Sequence, residues 1–150
     1  DKVETYKVVN YELKKIEKGK KIYKYILVLQ PTCPIRDYKK LLKAIEKIKS
    51  KKYDSVISIK NVNENHPLRM KKIVNNYVIN YVNMKEENMK PRQSLPNVYI
   101  RSGSIYLFSR EVLFKQNSLV GKKCYGIILK GKETINIDTH ENLNEFKKNL

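Results

Sequence analysis

An α/β domain built on an open sheet is the fold class these 150 residues predict. Three observations predict it. The apolar run at residues 25–29 is nearly uninterrupted, as in a strand buried on both faces. It breaks at Gln30-Pro31-Thr32-Cys33-Pro34, where two prolines remove backbone donors before a helical pattern begins at Asp37. A second apolar stretch, Val56-Ile57-Ser58-Ile59, follows that helix. The order helix, strand, helix, strand calls for parallel strands joined by a right-handed crossover. A buried strand ending in a proline-fixed polar loop is where such sheets place their ligand sites.

Each element has its own signal. Residues 3–16 read as a helix with Val8, Val9, Leu13 and Ile16 on one stripe, ended by Gly19-Lys20-Lys21. A strand covers 23–29. The helix at 37–49 carries Leu41, Leu42, Ile45 and Ile48 at three- and four-residue steps, with Asp37 at the positive end of its dipole. Residues 53–59 form the next strand. From 60 to 96 the chain turns polar and Asn-rich around a period-two segment at 77–82, read as an excursion or hairpin away from the main sheet. A strand at 99–108, a short helix at 109–114, a strand at 125–129 and a helix at 141–150 complete the chain. In that last helix Leu143, Phe146 and Leu150 point inward. No internal repeat or linker divides it, so one domain is expected.

The 32 Lys and Arg outnumber 15 Asp and Glu, giving a net charge of +17. A nucleic-acid or anionic-membrane surface is one reading of that excess, and lysines spread over every solvated face is the other. No run of lysines exceeds two and no RGG, zinc-finger or RNP-like signature occurs, which favours the second. Cys33 and Cys124 stand too far apart for a zinc motif or a disulfide framework. No apolar run approaches the roughly 20 residues of a membrane span. The first residues resemble neither a signal nor a transit peptide, so a cytoplasmic protein is expected.

Walker loops, GxGxxG, HExxH and GxSxG are absent. Candidate chemistry lies at the ends of the apolar runs. Gln30 donates and accepts at once, which suits a polyhydroxylated ligand, although a satisfied loop glutamine fits the spacing equally. Arg69, in His66-Pro67-Leu68-Arg69, is a bidentate anion clamp or a solvated arginine. Arg92 and Arg101 flank Gln93-Ser94-Leu95-Pro96 and precede Ser102-Gly103-Ser104-Ile105-Tyr106. Asn136 and Asp138 alternate on an expected short strand, so both side chains leave one face and suit a hard cation, while Asp138 or Thr139 equally caps the last helix.

In this order and spacing, the pieces resemble the acylneuraminate cytidylyltransferases, the CMP-sialic acid synthetase family. Leu29-Gln30-Pro31-Thr32-Cys33-Pro34-Ile35-Arg36 is similar to the family's LQPTSPLR. Asp54-Ser55-Val56-Ile57-Ser58 with His66-Pro67-Leu68-Arg69 is similar to DSVVS…HPxK/R. Arg92-Gln93-Ser94-Leu95-Pro96, Tyr99 and residues 102–106 resemble RQxLPxxYxxNGAIY, and residues 135–139 resemble IDIDT. The resemblance implies a Rossmann-like nucleotide-diphospho-sugar transferase sheet with helices on both faces. It also implies a protruding dimerisation element at about 60–99 and a homodimer. The implied reaction transfers CMP from CTP to a nonulosonic acid with Mg²⁺ and releases pyrophosphate.

Carried over residue by residue, the resemblance gives Gln30, Tyr106, Ser102 and Arg101 to the sugar acid. It gives Arg69 and Arg92 to the carboxylate and reacting phosphate, Thr5 to the nucleotide, and Asp138 with Asn136 to the metal. Three departures stand out: Cys33 for serine, Asn136 for the first aspartate of DID, and Ser102 for the asparagine of NGAIY. The family's first strand and its basic glycine loop have no counterpart in these residues, so the chain by itself is expected to be inactive. A non-catalytic dimerisation partner and a basic polyanion-binding module are the alternatives. Neither specific nucleic acid nor a membrane is an expected partner.

Overall fold

A computed structural model describes residues 3–19, 21–62, 65–82 and 91–148. The chain divides into two compact units, one of Asp1–Ile59 with Arg101–Leu150, the other of Lys60–Ile100. The fold is α/β with a mixed sheet, as the alternation of patterns predicts.

The first unit holds helix α1 (Thr5–Glu17), strand β1 (Tyr25–Val28), helix α2 (Tyr38–Lys49) and strand β2, which begins at Ser55 and continues to Asn61. Two further strands lie in the second unit: β3 (Lys71–Val74) and β4 (Tyr77–Asn80). Strand β5 (Tyr99–Ser109), helix α3 (Arg110–Gln116), strand β6 (Cys124–Ile128) and helix α4 (His140–Lys148) return to the first.

The strand order in the larger sheet is β1-β5-β2-β6. β5 runs antiparallel to β1, with Val28 opposite Tyr106, whereas β2 and β6 are parallel, with Ser55 opposite Cys124. Period-two alternation on β5 sends its residues to two cores. Ile105 and Leu107 join Ala44, Ile48, Val56, Ile127 and Leu129 under α2. Phe108 joins Leu13, Val112, Leu113 and Leu119, with Tyr106 packed against that cluster from the side of α1 and α3. Helices therefore cover both faces, and β5 is the strand that serves both.

Several expectations change in detail. Strand β1 is not buried on both faces: it is an edge strand of this sheet, and Leu27 and Leu29 are 41% and 39% exposed. A continuous apolar run cannot distinguish these two positions. On α1 the inward stripe is Tyr6, Val9 and Leu13, while Val8 and Ile16 are exposed, because the helix meets α3 along a narrower seam than the hydrophobic count suggests. On α2, Ala44 and Ile48 are buried and Leu42 and Ile45 exposed; Asp37 is its N-cap, accepting the Lys39 N–H at 2.8 Å. The expected strand around Asn136 and Asp138 does not form. Residues Gly131–Thr134 make a 3-10 turn, and 135–138 form no strand and pair with neither sheet. Thr139, not Asp138, caps α4: its Oγ1 accepts the Asn142 N–H at 3.1 Å, and Asn142 Oδ1 accepts the N–H groups of Asp138 and Thr139 in return. Leu143 and Phe146 are half-buried; Leu150 lies outside the described residues.

The Asp54-Ser55 pair has a structural task at the start of β2. Asp54 accepts from Ser55 Oγ at 3.0 Å and from the Lys123 N–H at 3.1 Å, and Ser55 Oγ accepts the Gly121 N–H at 2.8 Å. A Cβ on Gly121 would collide with the Asp54 carboxylate, so only glycine lets the two segments meet.

In the second unit β3 and β4 pair antiparallel as a hairpin, Ile73 opposite Val78. Asn75 and Asn76 turn it with φ of 48° and 66°. Two successive positive φ values are what a type I′ turn needs, and asparagine tolerates them best after glycine. Both strands are exposed along their whole length.

Candidate functional site

Val28 opposite Tyr106 places the end of β1 beside the middle of β5, and there the polar residues of the first unit gather. A cleft of about 400 Å³ is lined by Thr5 and Tyr6 at the start of α1, Gln30 after β1, Arg101 and Tyr106 on β5, and the segment from Asn117 to Val120 after α3. The size suits a small polar ligand. Four residues singled out in the sequence, Thr5, Gln30, Arg101 and Tyr106, thus line one cleft. Among the described residues, the Gln30 amide, the Arg101 guanidinium and the Tyr106 hydroxyl make no hydrogen bond, so their capacity faces the cleft unspent.

The backbone around Gln30 is firmly held. Its carbonyl accepts from the Cys33 N–H at 3.2 Å and from the Arg36 guanidinium, whose Nε also donates to the Ser104 carbonyl at 3.4 Å. Gly103 has φ of 81°, and a Cβ there would collide with Gln30 Oε1. The glycine gives the glutamine side chain its place. Asn117, which belongs to none of the sequence motifs, enters the cleft because α3 ends on it in a left-handed conformation, φ 49°. An Asn just past a short apolar helix is the signal that marks such a stop.

Ser102 is buried, and its hydroxyl donates to Ser58 Oγ at 2.6 Å, while Ser58 Oγ accepts the Ile105 N–H at 2.8 Å. It sits in the sheet and does not line the cleft.

Asn136 and Asp138 lie together next to the proline loop. The Ile137 N–H donates to the Thr32 carbonyl at 2.8 Å, and Lys40 pairs with Glu133, which fastens this segment to the loop and to α2. Asn136 Nδ2 donates to Asp138 Oδ2 at 2.5 Å, and the thiol of Cys33, 1% exposed, lies 3.6 Å from Asn136 Oδ1 and 3.7 Å from the Ser102 carbonyl.

Arg69 and Arg92 belong to the second unit. There His66, buried, ties its two short turns together: Nδ1 accepts the Leu68 N–H at 3.2 Å and Nε2 lies 3.1 Å from the Pro96 carbonyl. A carbonyl only accepts, so the proton sits on Nε2. A hollow of about 270 Å³ beside it is lined by Arg92, Gln93 and Asn97; Arg69, exposed, is not among its walls.

A larger cleft of about 520 Å³, walled by Tyr23, Tyr53, Lys51 and Arg110, opens at the opposite end of β1 and β2. Ligand sites of open α/β sheets lie at the carboxyl ends of the strands, so the smaller cleft at Gln30 carries the assignment. Cys124 is half-buried, and burial pushes its thiol up from the usual range, away from nucleophilic use.

The fold is an α/β domain with a mixed sheet, and its candidate site is this cleft at the carboxyl end of β1. No family model matches the chain. It is 25% identical over 114 residues to the Post-translational flagellin modification protein B of Campylobacter coli. The match takes in 76% of this chain and 47% of that protein, so the chain spans about half the length of the curated relative it matches. Among the described residues no helix is long and apolar enough to cross a membrane.

Proposed function

We propose that this chain is part of a sugar-acid-activating nucleotidyltransferase, with CTP as nucleotide donor, a nonulosonic acid as acceptor and pyrophosphate as leaving group. The observation that carries the reading is the convergence of Gln30, Arg101 and Tyr106, with their hydrogen-bonding capacity unspent, on one cleft at the end of β1. A guanidinium suits a carboxylate, and an amide with a phenol suits a row of hydroxyls. A relative named for flagellin modification is in keeping with sugar-acid chemistry. In this reading Thr5 stands on the nucleotide side, Arg69 and Arg92 bear on the anionic groups, and Ser102 acts by supporting β5 under the cleft.

The same reading makes the β3–β4 hairpin a dimerisation element and the working form a homodimer. An isolated two-stranded hairpin is marginal in water, and this one leaves Ile73, Tyr77 and Val78 75%, 74% and 68% exposed, which a second copy would cover.

The reading also implies Mg²⁺. The donor set does not make a protein-built site: the Asn136 amide turns its N–H₂ toward Asp138, and no group of three or more His, Cys, Asp or Glu that could hold a metal occurs among the described residues.

Isothermal titration of the chain with CTP and with sialic, legionaminic and pseudaminic acids tests the proposal. At least one sugar acid should bind, and Arg101→Ala should weaken it about ten- to a hundredfold, the usual loss for a charged hydrogen bond. Failure of every acid to bind, together with tight and steeply salt-dependent binding of mixed RNA, would replace it with the polyanion-binding alternative.

A further inference from the structure

We infer that Cys33 is a positioning residue that holds the Asn136 amide turned toward Asp138, so that an amide N–H and not a divalent cation closes the Asp138 carboxylate in the unliganded protein. The inference concerns the resting state of this locus and stands whatever the neighbouring cleft binds.

Three contacts carry it. Asn136 Nδ2 lies 2.5 Å from Asp138 Oδ2, Asn136 Oδ1 lies 3.6 Å from Cys33 Sγ, and the Ile137 N–H holds the backbone between Asn136 and Asp138 to the Thr32 carbonyl at 2.8 Å. The chemistry of the partners fixes which way the amide faces. An ionised carboxylate only accepts, so the end of Asn136 that meets Asp138 is the donor. The other end is then an oxygen, and the group facing it is a thiol, which can donate to it. Rotating the amide by half a turn would set its oxygen against the carboxylate and its N–H₂ against the thiol, losing the stronger bond and creating a repulsion. Cys33 is nearly sealed from solvent and its neighbour Thr32 is fixed by the Ile137 contact, so the thiol cannot move aside to let the amide turn.

The electrostatic consequence is specific. Two carboxylates at these positions would repel each other and gain from a cation between them. One carboxylate paired with an amide donor has its charge already met. Mg²⁺ and Mn²⁺ require oxygen ligands and give up their water reluctantly, and here the single free carboxylate oxygen is too little to hold either ion on its own.

The loss of the free-ion electron paramagnetic resonance signal of Mn²⁺ measures this directly on the unliganded chain. Wild type and Asp138→Asn should leave the signal equally intact up to about 1 mM Mn²⁺. Asn136→Asp should bind the ion at least about tenfold more tightly than wild type, and the double variant Asn136→Asp with Asp138→Asn should lose that gain. A second readout isolates Cys33. In Cys33→Ala the side-chain N–H₂ resonances of Asn136, assigned by their absence in Asn136→Asp, should shift and exchange at least about tenfold faster, and Cys33→Ser, which keeps a donor, should restore them. Wild type binding Mn²⁺ more tightly than Asp138→Asn overturns the inference, and that comparison holds even where the Asn136 or Cys33 variants fail to fold. Unchanged Asn136 resonances in a folded Cys33→Ala overturn the part assigned to the thiol.

Discussion

Strand β5 and the β3–β4 hairpin both carry a run of aliphatic and aromatic residues, Ile105–Phe108 in the one and Ile73-Val74 with Tyr77-Val78-Ile79 in the other, yet these end in opposite environments. Ile105, Leu107 and Phe108 are almost wholly removed from water between helices on both sides. Ile73, Tyr77 and Val78, with the same β propensity, stay open to solvent. The difference lies in what each strand has to pack against. β5 has a strand on either side and a helix layer on each face. The hairpin has one partner strand and a two-residue turn. Propensity brings a strand into being, while tertiary partners decide whether its apolar face stabilises this chain or remains available to another.

The sharpest test of that contrast is Phe108→Ala. Removal of a sealed aromatic from the core under α1 and α3 should cost about 3–5 kcal/mol in urea-induced unfolding, the usual range for such a truncation. Next comes the paired change Ile73→Lys with Val78→Glu. These residues face each other across the hairpin, so opposite charges keep the strands paired while removing apolar area. Sedimentation velocity should show a homodimer converted to monomer, with unfolding of the first unit altered by less than about 0.5 kcal/mol. A chain that is monomeric before the change would break the comparison, since nothing would then be covering the hairpin.

Smaller effects test how the cleft is held. Gly103→Ala adds a Cβ against Gln30 Oε1 at a positive φ, and should cost about 1–2 kcal/mol while displacing the Gln30 side chain. Thermal melts and sugar-acid titration would record the two consequences separately. The mildest effect concerns pH. The Tyr23 N–H and the Arg110 guanidinium beside Glu17 hold its carboxyl below the usual range, although burial works against them. The folded-state value is the depressed one. The stabilisation is therefore present above the ordinary value of about 4.5 and fades as pH falls through the lower folded-state value. Glu17→Gln should flatten the fall in melting temperature between about pH 5 and 3.

Most elements are legible in the sequence, because period and length carry them. The apolar run at 25–29 predicts a strand and forms one, but no pattern in a single strand reports which neighbours flank it, so its edge position is not legible. The strand expected at Asn136 fails for the opposite reason. Its alternation matches a strand, yet it pairs with neither sheet and is tied down through the Ile137 N–H to the Thr32 carbonyl. Thr5, Gln30, Arg101 and Tyr106 stand out one by one along the chain, and only the pairing of Val28 with Tyr106 shows why they share a cleft. Asn117 escapes sequence reasoning because a left-handed stop has a faint signature. The departures Cys33 and Asn136 look independent along the chain; in space they touch.

That contact spans 103 positions of sequence. A ribosome makes the segment that fastens the proline loop 103 positions after the loop itself, so through that interval the Gln30 loop has no anchor at its far side. Closing so long a span is slow compared with local helix formation. The loop is thus made well before it can take its final shape. A purified chain ending just before Asn136 should keep the core helices folded while the Gln30 loop stays open to protease, and a chain extended past Asp138 should close it.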